Sequence, residues 1–203
     1  MALTTYADLR QALIDWPDLA GETDLESYAD TLITLGEARI NVSLRLRRSL
    51  KTETVTGTGL YRSPLPEDFL EVDQVQTLEG VPLTYVTVDQ LALLAQAGNL
   101  TEVIYYSIDG QDLVFACSTD GYVLRYYPLL PPLSTTDTNW VYRLSPGLYL
   151  YSALIEAAVF SKESEQEQAR YRAMFESAAA ALEELDWNQG SPESQPIVSR
   201  LGV

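Results

Sequence analysis

Apolar and polar positions along this chain follow two different periods, and the places where the period changes divide it. Residues 1–50 carry a helical period. Thr5 stands where an N-cap would, and Asp8, three residues on, suits the positive end of a helix, although the reciprocal capping pattern proper asks for Glu or Gln there. A helix is predicted from Tyr6 to about Trp16, closed by Pro17. Gly21-Glu22-Thr23-Asp24 is a second start signal. From Leu25 to about Leu50 the apolar residues Tyr28, Leu32, Leu35, Val42 and Leu46 recur at three-, four- or seven-residue steps with no proline between them. This run is expected to be the long helix of the fold, with that stripe to be covered.

Near residue 51 the period changes to alternation. Lys51-Thr52-Glu53-Thr54-Val55-Thr56 is rich in β-branched residues, Gly57-Thr58-Gly59 reads as a turn, and Leu60-Tyr61 leads into Ser63-Pro64-Leu65-Pro66. Leu70 to Leu78 alternates again, with Leu70, Val72 and Gln74 on one face and Val75 and Thr77 on the other. Gly80 turns the chain and Val81 to Tyr85 is its expected return strand. Val88 to Ala97 is a short helical pattern closed by Gly98-Asn99. Three strands are predicted next: Val103–Ile108, Leu113–Cys117 and Tyr122–Tyr127, joined by Asp109-Gly110 and Asp120-Gly121 as a meander. Pro128 to Pro132 ends it, because proline has no N–H to give a ladder.

Helix resumes after Ser145-Pro146, a favoured cap and first-turn pairing. Leu148 to Phe160 is apolar almost all round, which predicts a buried helix. Ser161 to Ser164 reads as a break. Glu165 to about Leu185 is amphipathic, with Tyr171, Met174, Phe175, Ala178, Leu182 and Leu185 on one stripe. The order predicts an α+β fold: a helical bundle from residues 1–50 and 145–187, a β-rich insertion over 51–144 as an antiparallel meander or sandwich, and an extended tail over 188–203. No internal repeat is visible.

Composition narrows the function. The 203 residues are 46% hydrophobic and 21% charged, ordinary for a globular chain that hides about 70% of its unfolded surface. No apolar run reaches the ~20 residues of a membrane helix and no basic-then-apolar leader opens the chain, so synthesis in a cytosol and no membrane partner are expected. Histidine is absent, which removes the commonest general base and metal ligand. Cys117 is the single cysteine, flanked by Ala116 and Ser118, and reads as a small strand residue. A net charge of −16 argues against coating nucleic acid and would repel a duplex from an acidic channel.

No motif carries chemistry. Glu67-Asp68, Glu71 with Asp73, and Glu183-Glu184 with Asp186 are carboxylate pairs that nothing singles out among 29 acidic residues. No calcium loop appears, and Gly57-Thr58-Gly59 lacks the rest of a phosphate loop. No catalytic residue, cofactor or metal is therefore expected. Arg39, Arg45, Arg47, Arg48 and Lys51 place five of thirteen basic residues within thirteen positions. They complement a helix C-terminus and its solvent, or they form a docking patch for an acidic neighbour, as closure of a ring requires. Tyr105-Tyr106, Tyr126-Tyr127 and Tyr149 with Tyr151 suit half-buried surfaces.

Several stretches, taken in order, resemble the head–tail adaptor (connector, tail accessory) proteins of tailed and especially short-tailed bacteriophages. They are Thr5-Tyr6-Ala7-Asp8-Leu9; Leu35-Gly36-Glu37-Ala38-Arg39-Ile40-Asn41 running into Leu44-Arg45; Tyr61 with Leu65-Pro66-Glu67-Asp68-Phe69-Leu70-Glu71; Leu124-Arg125-Tyr126-Tyr127 before Pro131-Pro132-Leu133-Ser134; and Thr138-Asn139-Trp140 with Pro146 to Leu154. The resemblance implies a non-enzymatic virion subunit at the head–tail junction, made in the bacterial host. It implies a ring of copies, commonly dodecameric, under the portal protein and above the tail tube or nozzle protein, with DNA crossing the lumen without sequence-specific contact. It also implies a C-terminal segment that reaches into the portal, here with Ile197, Val198 and Leu201 as anchors and Arg200 for an acidic or main-chain partner. The alternatives are a virion-associated peptidoglycan hydrolase and a monomeric intracellular binding module.

Overall fold

In the computed structural model, which describes residues 3–16, 19, 24–96 and 103–190, helix α1 spans Tyr6–Ile14. Asp8 completes the capping box that its shorter side chain put in question. Its carboxylate accepts from the Thr5 N–H at 3.0 Å, and its own N–H donates to Thr5 Oγ1 at 3.2 Å. Packing divides the chain into two units, Met1–Arg47 with Leu130–Val203, and Arg48–Leu129. It is a mixed α and β chain with a single open sheet.

In the first unit, α2 spans Leu25–Ser43 and does not continue to Leu50. Leu44 is already extended, and a 3-10 turn follows over Arg47–Ser49. The predicted stripe of α2 is corrected. Leu32 and Leu46 are buried, but Tyr28, Leu35 and Val42 face solvent, and the buried face is Leu25, Ala29, Leu32, Ile33, Gly36, Glu37 and Ile40. Small residues decide this. A Cβ on Gly36 would lie 2.7 Å from Ser152 Oγ and 2.9 Å from the Ala153 nitrogen, so Gly36 lets α6 (Pro146–Phe160) approach backbone to backbone. Gly36 meets Ser152 while the Tyr28 ring meets Phe160 at 5.0 Å, so α2 and α6 run antiparallel.

Helix α6 opens with Pro146 in its first turn and buries Leu148, Leu150, Leu154 and Ile155 among others, as its apolar circumference predicted. The chain breaks at Ser161 to Ser164, with Lys162 at φ 56°, and α7 follows over Glu165–Gly190. Tyr171, Phe175 and Leu182 of α7 join the core with Met174 and Ala178 partly buried, and Leu185 is exposed. Because α7 reaches Gly190, residues 188–190 are helical where an extended tail was expected. Ile197, Val198, Arg200 and Leu201 lie outside the described residues, as do Pro17, the Gly21-Glu22-Thr23 start signal and Gly98-Asn99. Two short helices, α4 (Leu133–Thr136) and α5 (Trp140–Leu144), fill a stretch expected in the β-rich part. Leu133, Val141 and Tyr142 are buried in the helical core.

The second unit is one five-stranded sheet and not a sandwich. Its strands are β1 (Lys51–Pro64), β2 (Phe69–Thr77), β3 (Thr84–Tyr85), β4 (Tyr105–Asp109) and β5 (Asp112–Pro128), with helix α3 (Val88–Gln96) between β3 and β4. Asp109-Gly110 makes the expected hairpin, with Asp109 opposite Asp112. The other two turn signals are corrected. Gly57-Thr58-Gly59 lies inside β1 and Asp120-Gly121 lies inside β5, so the expected second and third strands of the meander are one strand.

These two signals face each other. Thr56 pairs with Gly121 and Leu60 with Thr119, so the intervening residues bulge and the long ribbon continues past them. Gly121 has φ 155°, and a Cβ there would sit 2.5 Å from the Val55 carbonyl oxygen, so the crossing of the two strands needs a glycine. Strand β5 is the spine of the sheet. It pairs with β1 along both halves, with β4 near its start and with β2 near its end.

A second bulge, between Val72 and Gln74 of β2, interrupts the predicted alternation, so that Val72 packs beside buried Val75. The expected return strand Val81–Tyr85 reduces to one bridge, Gln76 with Pro82, before Thr84-Tyr85 runs parallel to β4. The bridge is held from either side, by the Thr77 N–H on the Val81 carbonyl and the Leu83 N–H on the Val75 carbonyl at 2.8 Å each, so Pro82 sits where no N–H is needed. The core of this unit is Val75, Leu83, Tyr106, Leu113, Phe115, Tyr122, Leu124 and Tyr126.

Candidate functional site

One carboxylate of each group that the sequence offered, Asp68, Asp73 and Asp186, serves as a structural pin. Burial raises the Asp68 carboxyl, but Lys51 and the Tyr126 hydroxyl outweigh it, and the group sits below the ordinary aspartate value. The Tyr126 hydroxyl shares its one proton between Asp68 at 2.9 Å and Glu53 at 3.0 Å, which ties β1, the residue before β2 and β5 together. Asp73 pairs with Arg125, and Asp186 accepts from the Arg47 N–H at 2.6 Å. Among the described residues no group of three or more His, Cys, Asp or Glu is placed to hold a metal ion, and no helix is long and apolar enough to cross a membrane.

A groove of about 530 Å³ in the sheet unit runs beside the bulge and is lined by Leu78, Glu79, Val81, Ile104, Ser118 and Asp120. No nucleophile–base pair stands in it. Cys117 is a partly buried residue of β5, and burial pushes its thiol up.

Of the five clustered basic residues, Arg39, Arg45 and Arg47 lie in the helical unit and Arg48 and Lys51 in the sheet unit. Arg39 pairs with Glu156 of α6. Arg45 turns back on the end of α2, donating to the carbonyls of Asn41 and Leu44 at 2.8 Å each, which is the helix-terminus role of a cation. The Arg47 guanidinium stacks over the Trp187 ring at 5.2 Å. Arg48 lies in the 3-10 turn, and Lys51, in β1, pairs with Asp68. Of the tyrosine pairs, Tyr106, Tyr126 and Tyr149 are buried, while Tyr105, Tyr127 and Tyr151 are half-buried.

Sequence reasoning missed a buried polar hub where the chain returns to the helices. Glu37 accepts from the Leu133 N–H at 2.8 Å and Asn41 from the Leu130 N–H at 2.8 Å. Asn139 caps α5 by accepting from the Tyr142 N–H at 2.9 Å, and its amide donates to the Tyr149 hydroxyl at 2.8 Å and the Pro131 carbonyl at 3.2 Å. Burial raises the Glu37 carboxyl above its ordinary value, and the bond from Leu133 opposes this only in part. The Tyr142 hydroxyl donates to the Thr5 carbonyl at 3.0 Å. Burial, then the charges of Asp8 and Asp137, push it up to about 12.

The available signal was a polar residue inside an apolar helical face, Glu37 between Gly36 and Ile40, and an Asn directly before a short apolar run. The hub is enclosed and its described hydrogen bonds stay within the unit, so it positions backbone and presents nothing to a substrate.

Surface features remain. Tyr28, Leu35 and Val42 on α2 and Val159 and Phe160 at the end of α6 are exposed large apolar residues of the helical unit. A family model described as SU10 adaptor protein matches residues 4–200. A search of curated proteins finds no match.

Proposed function

We propose, because this chain belongs to the SU10 adaptor protein family, that it is a structural subunit joining the head of a bacteriophage to its tail. Copies form a ring, dodecameric in this reading, beneath the portal protein and above the tail tube. The helical ends make the bundle of each subunit, and the β-rich segment between them is an insertion domain. DNA leaves through the ring. The net charge of −16 keeps the duplex from adhering to the subunits. The residues after α7 dock on the portal through Ile197, Val198, Arg200 and Leu201. No catalytic step is assigned.

The observation that carries this reading is the extent of the family match, which begins before α1 and runs past α7, across both units. The test is a chain ending at Gly190, mixed with portal rings and imaged by electron microscopy beside the full chain. The full chain is expected to add a ring of density to the portal, and the shortened chain to keep its circular dichroism spectrum and melting temperature but leave portals bare. Bare portals with the full chain would overturn the adaptor reading. Equal decoration by both chains would overturn docking through the terminal segment.

A further inference from the structure

The sheet unit leaves a stretch of its central strand without a neighbour. The β4 register on β5 ends at Phe115 with Tyr106, and the β2 register on the same side begins at Tyr122 with Thr77. Among the described residues, Ala116 to Gly121 has no ladder partner on that side. The groove of about 530 Å³ lies against this open edge, with Ser118 and Asp120 in its wall. Leu78, Val81 and Ile104 also line it, and they are 44%, 58% and 43% exposed. A strand edge beside apolar side chains is what an extended peptide binds, through main-chain hydrogen bonds and through alternate side chains seated in the groove.

Charge narrows the occupant. Every charged residue from Ser63 to Leu124 is an Asp or a Glu. The cations before and after that run are already engaged: Lys51 pairs with Asp68, Arg62 with Asp109 and Asp112, and Arg125 with Asp73. Glu79 and Asp120 stand exposed in the groove wall, and among the described residues neither has an ion pair. Helix α7 differs, because Arg170 and Arg172 stand among its acidic residues.

An acidic occupant would set its carboxylates against Glu79 and Asp120 with no cation at hand to offset them. Duplex DNA is repelled for the same reason, and another copy of this chain, at a net charge of −16, is disfavoured too. A segment that carries Lys or Arg beside Val, Ile or Leu meets both features of the groove. Its apolar side chains cover Leu78, Val81 and Ile104, and its cations reach the two carboxylates.

We propose that this groove receives an extended segment of a partner protein that is both apolar and basic, laid against the open edge of β5 between the β2 and β4 registers. The proposal does not depend on the adaptor reading above. The test selects random displayed peptides on the immobilised full-length chain and measures the most enriched peptide by fluorescence anisotropy and nitrogen-15 NMR. Three chains are compared: wild type, Glu79→Lys with Asp120→Lys in the groove, and Glu183→Lys with Glu184→Lys, the same change of charge at exposed positions of α7.

Enriched peptides are expected to combine Lys or Arg with Val, Ile or Leu, and to shift the wild-type amide signals of Thr77 to Val81 and Ser118 to Gly121. The groove variant is expected to bind about tenfold more weakly, while the α7 variant binds as wild type does. All the substituted positions are exposed, so the three chains should share one melting temperature. Equal weakening in the α7 variant would overturn the assignment, because attraction to the net charge alone would then explain the binding. Shifts confined to other residues, enriched peptides without cations, or no enrichment at all would overturn it as well.

Discussion

Helix α6 is enclosed along most of its length, with Leu148, Ala153, Leu154, Ala157 and Ala158 wholly buried, whereas β1 is exposed on nearly every residue and buries only Ser63. The helical unit covers its apolar surface by close approach. Glycine and alanine on α2 and α6 bring backbones together, and Leu, Tyr and Phe from six helices fill the space around them. The sheet unit has a smaller core on one face of an open sheet and holds its periphery with ion pairs: Lys51 with Asp68, Arg62 with Asp109 and Asp112, and Arg125 with Asp73. Such partly exposed pairs are screened by solvent and add little, against about 2–5 kcal/mol for truncating a buried Leu. The sheet unit is therefore expected to open first, and its exposed ribbon is the more tolerant of surface change.

The largest expected effect is in the tight unit. Gly36→Val places a branched side chain where a single Cβ already meets Ser152 and the backbone of Ala153, at a cost of about 3 kcal/mol. Hydrogen exchange should rise in peptides from residues 25–43 and 146–160 and stay unchanged in residues 51–64 and 112–128. An equal rise in the strands would break the distinction between the units. Gly121→Ala is next, at about 2 kcal/mol, because its Cβ meets the Val55 carbonyl and its φ is one that alanine rarely adopts. Here the rise in exchange should fall on the strands around the bulge and spare the helices.

The smallest effect is electrostatic and sits in the helical hub. The Glu37 carboxyl is raised in the folded state, so the fold binds its proton more tightly than the unfolded chain does. That contribution is complete below the ordinary glutamate value of 4.5 and fades as pH rises through the raised value. Glu37→Gln keeps an oxygen for the Leu133 N–H and removes the titration. Its melting temperature relative to wild type should climb as pH rises from the acid side of that value toward neutral. A difference independent of pH would show that Glu37 is not buried as its hydrogen bond to Leu133 implies.

Signals that act over a few residues were legible in the chain itself. Thr5 with Asp8 started α1, Pro146 opened α6, Ser161 to Ser164 broke the helices, and Asp109-Gly110 turned a hairpin. The apolar circumference of α6 required burial whatever surrounded it. The head–tail adaptor resemblance was also readable, from the order of stretches such as Leu35 to Asn41 and Thr138 to Trp140. The structure places Glu37, Asn41 and Asn139 of those stretches in the buried hub.

Other choices depended on partners far along the chain. Helix α2 carries two overlapping apolar stripes, and only the arrival of Ser152 and Ala153 at Gly36 made one of them the inside. Gly57-Thr58-Gly59 and Asp120-Gly121 each have the local chemistry of a turn, but they met across a strand pair and became a bulge. Glu37 and Leu133 are 96 residues apart, and no local period could have joined them. By itself the sequence determined where α1 and α6 begin, which helix is buried and what charge the surface carries, because propensity, capping and net charge are local or additive. Only the tertiary structure decided which face of α2 is covered and which is left free, because burial is set by the element that arrives opposite.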